Sequence, residues 1–201
     1  MNDFNKLAPI YDVLARLVFK GGLNRASAFH LDTIPAASRV LILGGGSGHC
    51  LLSLDRCAVD FVEKSSRMIA LAKRRPQNSM VSFQHTDFQT FEVKEPYDFV
   101  LCPFFLDVFD EDTLLRVIDK IKSSMTNDGR LIVTDFLETG QAHHRLLLKL
   151  MFSFFHIFAK LESRELIDFS KVLQENGLCP EAQYLSGNGF ITSQVFTKIK
   201  R

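Results

Sequence analysis

The sequence predicts a doubly wound α/β fold, in which a mostly parallel sheet of seven strands ends in an antiparallel C-terminal strand. Short apolar runs alternate with segments of helical periodicity, and parallel strands need such a crossover between them. The runs are mostly apolar, as in strands that are buried on both faces. The first run leads into the glycine-rich loop Gly44–Gly48, at the strand end where this fold class binds ligands.

Five apolar runs predict the parallel part of the sheet. They are RVLIL (39–43), AVDFV (58–62), VSFQH (81–85), YDFVLC (97–102) and GRLIVTDF (129–136). Ser65 or Ser66 can cap a helix after the second run. Another helix is predicted before the fifth run by a stripe of apolar residues with helical spacing. These are Leu114, Val117, Ile118 and Ile121. Asp128-Gly129 predicts a turn into the fifth strand.

The two ends of the chain are predicted to add helices and a reversed strand. A helical pattern covers 5–20, and two further helices are expected at about 142–161 and 164–176, the second ending at Gly177. The β-branched run 190–200 predicts a strand. It follows the turn sequence Gly187-Asn188-Gly189, which favours an antiparallel hairpin.

We therefore expect a single domain over residues 1–201. Its expected parts are an N-terminal helical cap (1–30), a cofactor-binding core (39–136), a helical lid (140–176) and a C-terminal hairpin (181–200).

The composition is that of a soluble globular protein, with 46% hydrophobic and 23% charged residues. A net charge of +1 gives no field that would steer the chain to nucleic acid. The run Lys73-Arg74-Arg75 is most simply a solvated helix end. The four cysteines have the spacing of neither a zinc site nor a disulfide framework. With no signal-peptide pattern and no membrane-length apolar run, we expect a cytoplasmic protein.

The glycine loop and an acidic residue after the second run together predict a nucleoside site. Gly44 allows a sharp turn, and Gly46 and Gly48 leave room for a bound group against the backbone. Glu63 stands where a carboxylate can accept hydrogen bonds from two ribose hydroxyls; the alternative is a surface glutamate at a helix start. The glycine spacing lacks the third glycine of a dinucleotide site, which favours a nucleoside without a pyrophosphate.

Five ordered segments of residues 39–136 resemble the class I S-adenosylmethionine-dependent methyltransferases. They are VLILGGGSG, VDFVEKSSRMIALAK, FQHTDFQTF, YDFVLCPFFLDVF and NDGRLIVTDF. The resemblance implies S-adenosylmethionine as cofactor. No metal ion is expected. The resemblance makes Glu63 the ribose acid and places Asp87 at the adenine amino group, with Phe88 beside the ring. The other implied cofactor contacts are Gly44, Gly45, Gly46, Ser47, Gly48, Lys64, Pro103 and Tyr11.

Two further segments resemble a subfamily. FNKLAPIYD near the start looks like the opening helix of the ubiquinone/menaquinone biosynthesis C-methyltransferases. The tail, with LESRELIDFSKVLQENGL and then GNGFITSQVF, is similar to the end of small methyltransferases of that type. The resemblance implies a small, apolar acceptor of the quinol or phenol type. One departure concerns the cofactor, because Ile42 occupies the position where the family usually has an acidic residue near the methionine amino group.

The segment LLLKLMFSFFHIFA predicts an apolar helix with a narrow basic stripe. Three interpretations stay open for residues 143–160: a lid over the active site, a contact in a homodimer, or a helix resting on a membrane surface. Phe104, Phe105 and Phe109, after the fourth strand, could line the same acceptor pocket.

Methyl transfer to a phenol or quinol would be helped by a general base. The candidates are Asp107, His143, His144, His156 and Tyr11. Asp107 follows the loop after the fourth strand and is the preferred catalytic residue, although it could equally cap the next helix. His143 and His144 look like a helix start, and His156 lies on the polar stripe.

Two other function classes compete with a methyltransferase. A nucleoside-binding protein without catalysis would explain the loss of an acid at Ile42. A nicotinamide-dependent oxidoreductase shares the strand–loop–helix layout, but the missing third glycine argues against it.

Overall fold

The computed structural model describes residues 19–159 and 167–199; between Met151 and Ala159 only the backbone is described. Within these residues seven strands form one sheet with the order β3-β2-β1-β4-β5-β7-β6. The strands are β1 (Arg39–Leu43), β2 (Asp55–Glu63), β3 (Asn78–His85), β4 (Tyr97–Pro103), β5 (Met125–Phe136), β6 (Leu178–Ser186) and β7 (Ile191–Lys198).

The pairing of the strands confirms the predicted fold class. Strands β1 to β5 are parallel to their neighbours. Strand β7 is antiparallel to both β5 and β6. The turn between β6 and β7 is closed by the Phe190 N–H, which donates to the Gly187 carbonyl at 3.1 Å. The C-terminal hairpin is therefore inserted as predicted, with its last strand against β5.

Five α-helices are described. They are α1 (Gly22–Ala28), α2 (Ser66–Ala72), α3 (Glu111–Ser124), α4 (Ala142–Ala159) and α5 (Phe169–Glu175). Ser65 caps α2, since its side chain accepts from the Met68 N–H at 3.2 Å. Asp110 caps α3 in the same way through the Thr113 N–H at 2.8 Å. None of the described helices is long and apolar enough to pass through a bilayer.

The two faces of the sheet bury alternate residues of each strand. Leu41 and Leu43 of β1 pack in the cluster that α3 covers, and the predicted apolar stripe of α3 is buried there. Val40 and Ile42 point to the opposite face, where they pack in a second apolar cluster. Helices cover both faces of the sheet. A ligand-binding site is therefore expected among the loops at the carboxyl ends of the strands.

Several predicted boundaries are wrong. Strands β2, β3 and β5 begin several residues earlier than their apolar runs, because polar residues at the strand starts still pair with neighbouring backbone. Asp128-Gly129 makes no turn but lies within β5, where the register with β4 shifts. Gly129 suits that irregularity, since a Cβ there would lie 3.0 Å from the Tyr97 carbonyl oxygen.

The predicted terminal helices are covered only in part. The predicted helix over 5–20 falls almost entirely outside the described residues, and Tyr11 lies outside them. The helix predicted over 164–176 begins instead at Phe169, because Asp168 is not helical and caps α5 through the Lys171 N–H at 3.1 Å. Helix α4 has the predicted start, at Ala142.

Candidate nucleoside and methyl-transfer site

The glycine loop Gly44–Gly48 leaves β1 with a left-handed backbone. At Gly44, where φ is +61°, a Cβ would lie 2.6 Å from a ring carbon of Phe105, so only glycine fits. At Gly46, where φ is +54°, a Cβ would meet nothing within 4 Å. The loop is thus packed against the fourth-strand turn on one side and open at Gly46, as a site that holds a group against the backbone requires.

Glu63 ends β2 beside this loop, as the sequence predicts. Its Oε2 accepts a hydrogen bond from the Gly46 N–H at 3.1 Å, and its Oε1 accepts one from the Ser65 N–H at 2.7 Å. Only 8% of the residue is exposed, so the alternative of a surface glutamate is wrong. Burial raises the pKa of Glu63, while the Ser65 and Gly46 N–H groups act in the opposite direction.

Arg75 is a loop contact that the sequence did not indicate. Its Nε donates to the Ser47 carbonyl oxygen at 2.5 Å, and a terminal nitrogen lies 3.2 Å from the Ser47 Oγ. Of the basic run, Lys73 and Arg74 are exposed and Arg75 is half-buried. The prediction of a solvated helix end is therefore wrong for Arg75, which fixes the loop from the end of α2.

The ends of β2 and β3 are joined by an ion pair. Lys64 Nζ lies 2.8 Å from Asp87 Oδ2, and the Gln89 N–H donates to Asp87 Oδ1 at 2.9 Å. Burial opposes the charge of Asp87, but the Lys64 and Gln89 donors outweigh it and lower the pKa of the carboxyl group. Phe88 is buried, with its ring edge-on to Phe105 at 6.4 Å. Lys64, Asp87 and Phe88 thus lie together near the loop.

Strand β4 ends in a strained turn after Pro103. Phe104 has φ +52°, which is unusual for a bulky side chain. Its N–H donates to the Thr134 carbonyl at 2.7 Å, and its ring lies 5.0 Å from that of Phe136. The turn reverses the direction of the next side chain. Phe104 packs on one face of the sheet, and Phe105 with Phe109 on the other, so the three phenylalanines do not line a single pocket.

Asp107 lies in the 3₁₀ turn Leu106–Val108, next to Asp135 of β5. The Asp107 N–H donates to Asp135 Oδ2 at 3.3 Å, and the Phe136 N–H donates to Asp135 Oδ1 at 2.9 Å. The Asp107 Oδ1 atom is buried and has no hydrogen-bond partner. Asp107 does not cap the next helix, because Asp110 does. Asp135 had no predicted role; an acid inside an apolar run is the signal that could have marked it.

Burial raises the pKa of both members of this pair. It raises that of Asp107 to about 7. The pKa of Asp135 lies well above its usual range, because of burial and the neighbouring charge of Asp107. Two carboxyl groups with raised pKa values therefore lie close together where β4 and β5 end.

The candidate histidines lie at the start of α4. His143 is exposed. His144 is buried, with Nδ1 2.6 Å from Thr139 Oγ1 and its ring stacked on Phe190 at 4.5 Å. Burial and the neighbouring His143 lower the pKa of His144, so its neutral form is favoured. The side chain of His156 lies outside the described residues.

Helix α4 turns one face toward an apolar cluster at the ends of β5 and β7. His144, Leu147, Leu148 and Met151 form this face, and Phe104, Phe136 and Phe190 belong to the cluster they cover. The opposite side carries Leu146 and Leu150, each 59% exposed, beside the exposed Arg145 and Lys149. The described half of α4 therefore covers an aromatic surface and leaves two leucines to solvent.

Ile42 is fully buried and belongs to the apolar cluster under the loop. It leaves no polar group at the position where the family resemblance places an acid. Strand β1 thus contributes backbone and packing to the site, and no carboxylate.

Part of the chain is similar to known methyltransferases. Residues 40–129 match the family model described as a methyltransferase domain. An uncharacterized methyltransferase of Staphylococcus carnosus is 25% identical over 158 residues, covering 74% of this chain and 73% of the relative. The prediction of a methyltransferase that uses S-adenosylmethionine is confirmed at this level. The ubiquinone/menaquinone subfamily is not identified by these matches.

Solved structures confirm the fold. The chain is similar to the Burkholderia thailandensis 1,6-didemethyltoxoflavin-N1-methyltransferase, solved with bound 1,6-didemethyltoxoflavin and S-adenosylhomocysteine. The TM-score is 0.68, with 16% identity and coverage of 96% of this chain and 85% of that one. It is also similar to a chain from the complex between the Haloferax volcanii Trm112 methyltransferase activator and a methyltransferase. There the TM-score is 0.74, with 12% identity and coverage of 100% and 99%.

Proposed function

Because residues 40–129 match a methyltransferase domain, we propose that the protein transfers a methyl group from S-adenosylmethionine to a small, apolar acceptor of the phenol or quinol type. The observation that supports this proposal best is the hydrogen bond from the Gly46 N–H to the Glu63 carboxylate. It brings a buried carboxylate, which can accept ribose hydroxyl hydrogens, to the open point of a glycine loop.

The residues present fit the cofactor. We assign the backbone of Gly44–Gly48 to the amino-acid end and the ribose, Glu63 to the ribose hydroxyls, and Asp87 with Phe88 to the adenine. Lys64 orients Asp87 through its ion pair, and Pro103 closes the side next to β4. When bound, the cofactor supplies an electrophilic methyl group and a neutral leaving group. The protein therefore has no developing anion to stabilise at that centre.

The acceptor side is proposed to be the aromatic surface under α4. Phe104, Phe136 and Phe190 form a cluster at the ends of β5 and β7, and such surfaces suit planar apolar molecules. The protein's task is to hold the acceptor in line with the methyl group and to exclude water. Asp107 is the proposed proton acceptor, because its buried Oδ1 lacks a partner and the neutral form of His144 is hydrogen-bonded to Thr139.

We propose that α4 acts as a lid, because its buried face covers that aromatic surface. Its exposed leucines, Leu146 and Leu150, flanked by Arg145 and Lys149, leave a homodimer contact and a membrane-surface contact as alternatives. Replacing both leucines with glutamine separates the three. A lid predicts unchanged mass in solution and unchanged sedimentation with anionic vesicles.

Turnover tests the proposed function directly. The protein is incubated with S-adenosylmethionine and a panel of phenols, quinols and amines, and S-adenosylhomocysteine is measured. We expect acceptor-dependent product that is lost in Glu63→Ala and kept in Glu138→Ala, a matched change at an exposed glutamate. Cofactor binding without turnover across the panel would favour the second candidate, a non-catalytic binding protein, for which the apolar Ile42 is the supporting observation.

A further inference from the structure

The carboxyl groups at the loop-bearing edge of the sheet differ in what they bind. Glu63 accepts two backbone N–H groups, and Asp87 is paired with Lys64. Asp135 accepts two backbone N–H groups as well. Only the Oδ1 atom of Asp107, among the carboxyl oxygens of the described residues, is buried without any hydrogen-bond partner. This atom is therefore free for a donor or a cation that is not part of the described chain.

The described surroundings of Asp107 supply no ion-pair partner for its carboxyl group. No ion pair involves Asp107 or Asp135 within residues 19–159 and 167–199. The titratable group that adjoins Asp135 from β4 is the buried Cys102 thiol, whose own pKa is raised by burial and by Asp135. An uncompensated carboxylate in such a place is costly. Burial therefore raises the pKa of both carboxyl groups and favours a protonated form of the pair.

The turn that holds Asp107 adjoins the glycine loop. Phe105, two residues earlier, packs against Gly44, and β4 is the direct neighbour of β1 in the sheet. Strand β1 offers no carboxylate of its own, since Ile42 is buried among apolar residues. S-Adenosylmethionine has a sulfonium and an α-ammonium group, so a site that binds it needs negative charge near its amino-acid end.

We propose that the Asp107 carboxyl group, positioned by Asp135, balances the positive charge of bound S-adenosylmethionine. The inference rests on the proposed function. A cation beside a carboxyl group favours the ionised form, so cofactor binding drives a proton from the Asp107–Asp135 pair into the solvent. The ionised Asp107 is also the form that can later take a proton from an acceptor.

Calorimetric titration in two buffers of equal pH and different ionisation enthalpy counts the protons released on binding. At about pH 6.5 the α-ammonium group is already charged, so its own titration adds little. Adenosine is the matched control ligand, because it engages Glu63 and Asp87 but has no positive charge. We expect more protons released with S-adenosylmethionine than with adenosine. If S-adenosylhomocysteine also releases the extra protons, the ligand charge that Asp107 balances is the α-ammonium group. If only S-adenosylmethionine releases them, that charge is the sulfonium.

Variants assign the proton to the pair. Asp107→Asn is expected to remove the excess release and to weaken S-adenosylmethionine binding several-fold, with adenosine binding kept. Asp112→Asn, at an exposed carboxylate on α3, should change neither. Equal proton counts for the two ligands in the unaltered protein overturn the proposal, whatever the stability of the variants. Absence of any binding of S-adenosylmethionine contradicts the proposed function instead.

Discussion

The Glu63 carboxylate and the Gly46 backbone are joined by a hydrogen bond of 3.1 Å. This contact ties the end of β2 to the open point of the glycine loop. The second oxygen is fixed by Ser65, so the carboxylate is oriented before any ligand arrives. Such preorganisation lowers the entropic cost of binding.

Replacing Glu63 with glutamine is expected to weaken binding of both S-adenosylmethionine and adenosine by about 10-fold or more. Hydrogen bonds to a charged group contribute roughly 1.5–3 kcal/mol, and the amide presents a donor where two backbone N–H groups need an acceptor. Calorimetry measures both affinities. Glu138→Gln, at an exposed glutamate after β5, should bind normally. Unchanged affinity in Glu63→Gln would remove this residue from the site.

Gly46→Ala is expected to abolish cofactor binding at a modest cost in stability. Its left-handed backbone costs alanine about 1–2 kcal/mol, and the added methyl group would occupy the open space over the loop. Gly140→Ala is the matched control, because Gly140 also has a positive φ with nothing near its Cβ position. Urea unfolding should show similar losses for both variants. Loss of cofactor binding in both variants would mean that backbone strain, and not the added methyl group at Gly46, abolishes binding.

Ile42→Asp is expected to unfold the domain or weaken it by at least about 3 kcal/mol, with no gain in cofactor affinity. The side chain is fully buried among apolar residues, and a carboxylate there has no partner. Ile42→Val should cost only about 0.5–1.5 kcal/mol. Urea unfolding compares the two. A stable Ile42→Asp protein with tighter cofactor binding would contradict this prediction, because it would show that a carboxylate at position 42 reaches the cofactor.

Asp107→Asn is expected to change how stability depends on pH. The pKa of Asp107 is about 7 in the folded protein and about 3.9 in an unfolded chain. The folded state therefore binds more protons between these values, and the unaltered protein loses stability as pH rises from about 4 to about 7. The variant should lack the part of this loss that comes from Asp107, so its free energy of unfolding should fall less than that of the unaltered protein over this pH range. Parallel stability curves for variant, unaltered protein and Asp112→Asn would contradict a buried titrating Asp107.

The order of β1 to β5 along the chain could be predicted because each of these strands contains an apolar run. The proximity of Glu63 to the glycine loop could be predicted because the carboxyl ends of parallel strands lie at one edge of the sheet. Strand starts could not be predicted, because pairing with a neighbour extends β2, β3 and β5 into polar sequence.

The contacts that the sequence did not predict depend on tertiary neighbours. Arg75 meets Ser47 across 28 positions, and its neighbours in the chain are ordinary exposed cations. Asp135 meets Asp107 only because β4 and β5 lie side by side. Phe104 and Phe105 pack on opposite faces of the sheet because Phe104 has a positive φ. The spacing of residues in the sequence does not reveal such a backbone angle.

Thermal unfolding with S-adenosylmethionine, S-adenosylhomocysteine and NAD tests the central claim most directly. A ligand at about 100 times its Kd adds roughly 2.7 kcal/mol, which for a domain of this size raises Tm by on the order of 5–10 °C. We expect this rise with both sulfur nucleosides and none with NAD. A rise with NAD alone, or with none of the three, would contradict a site built by Glu63 and the glycine loop for S-adenosylmethionine.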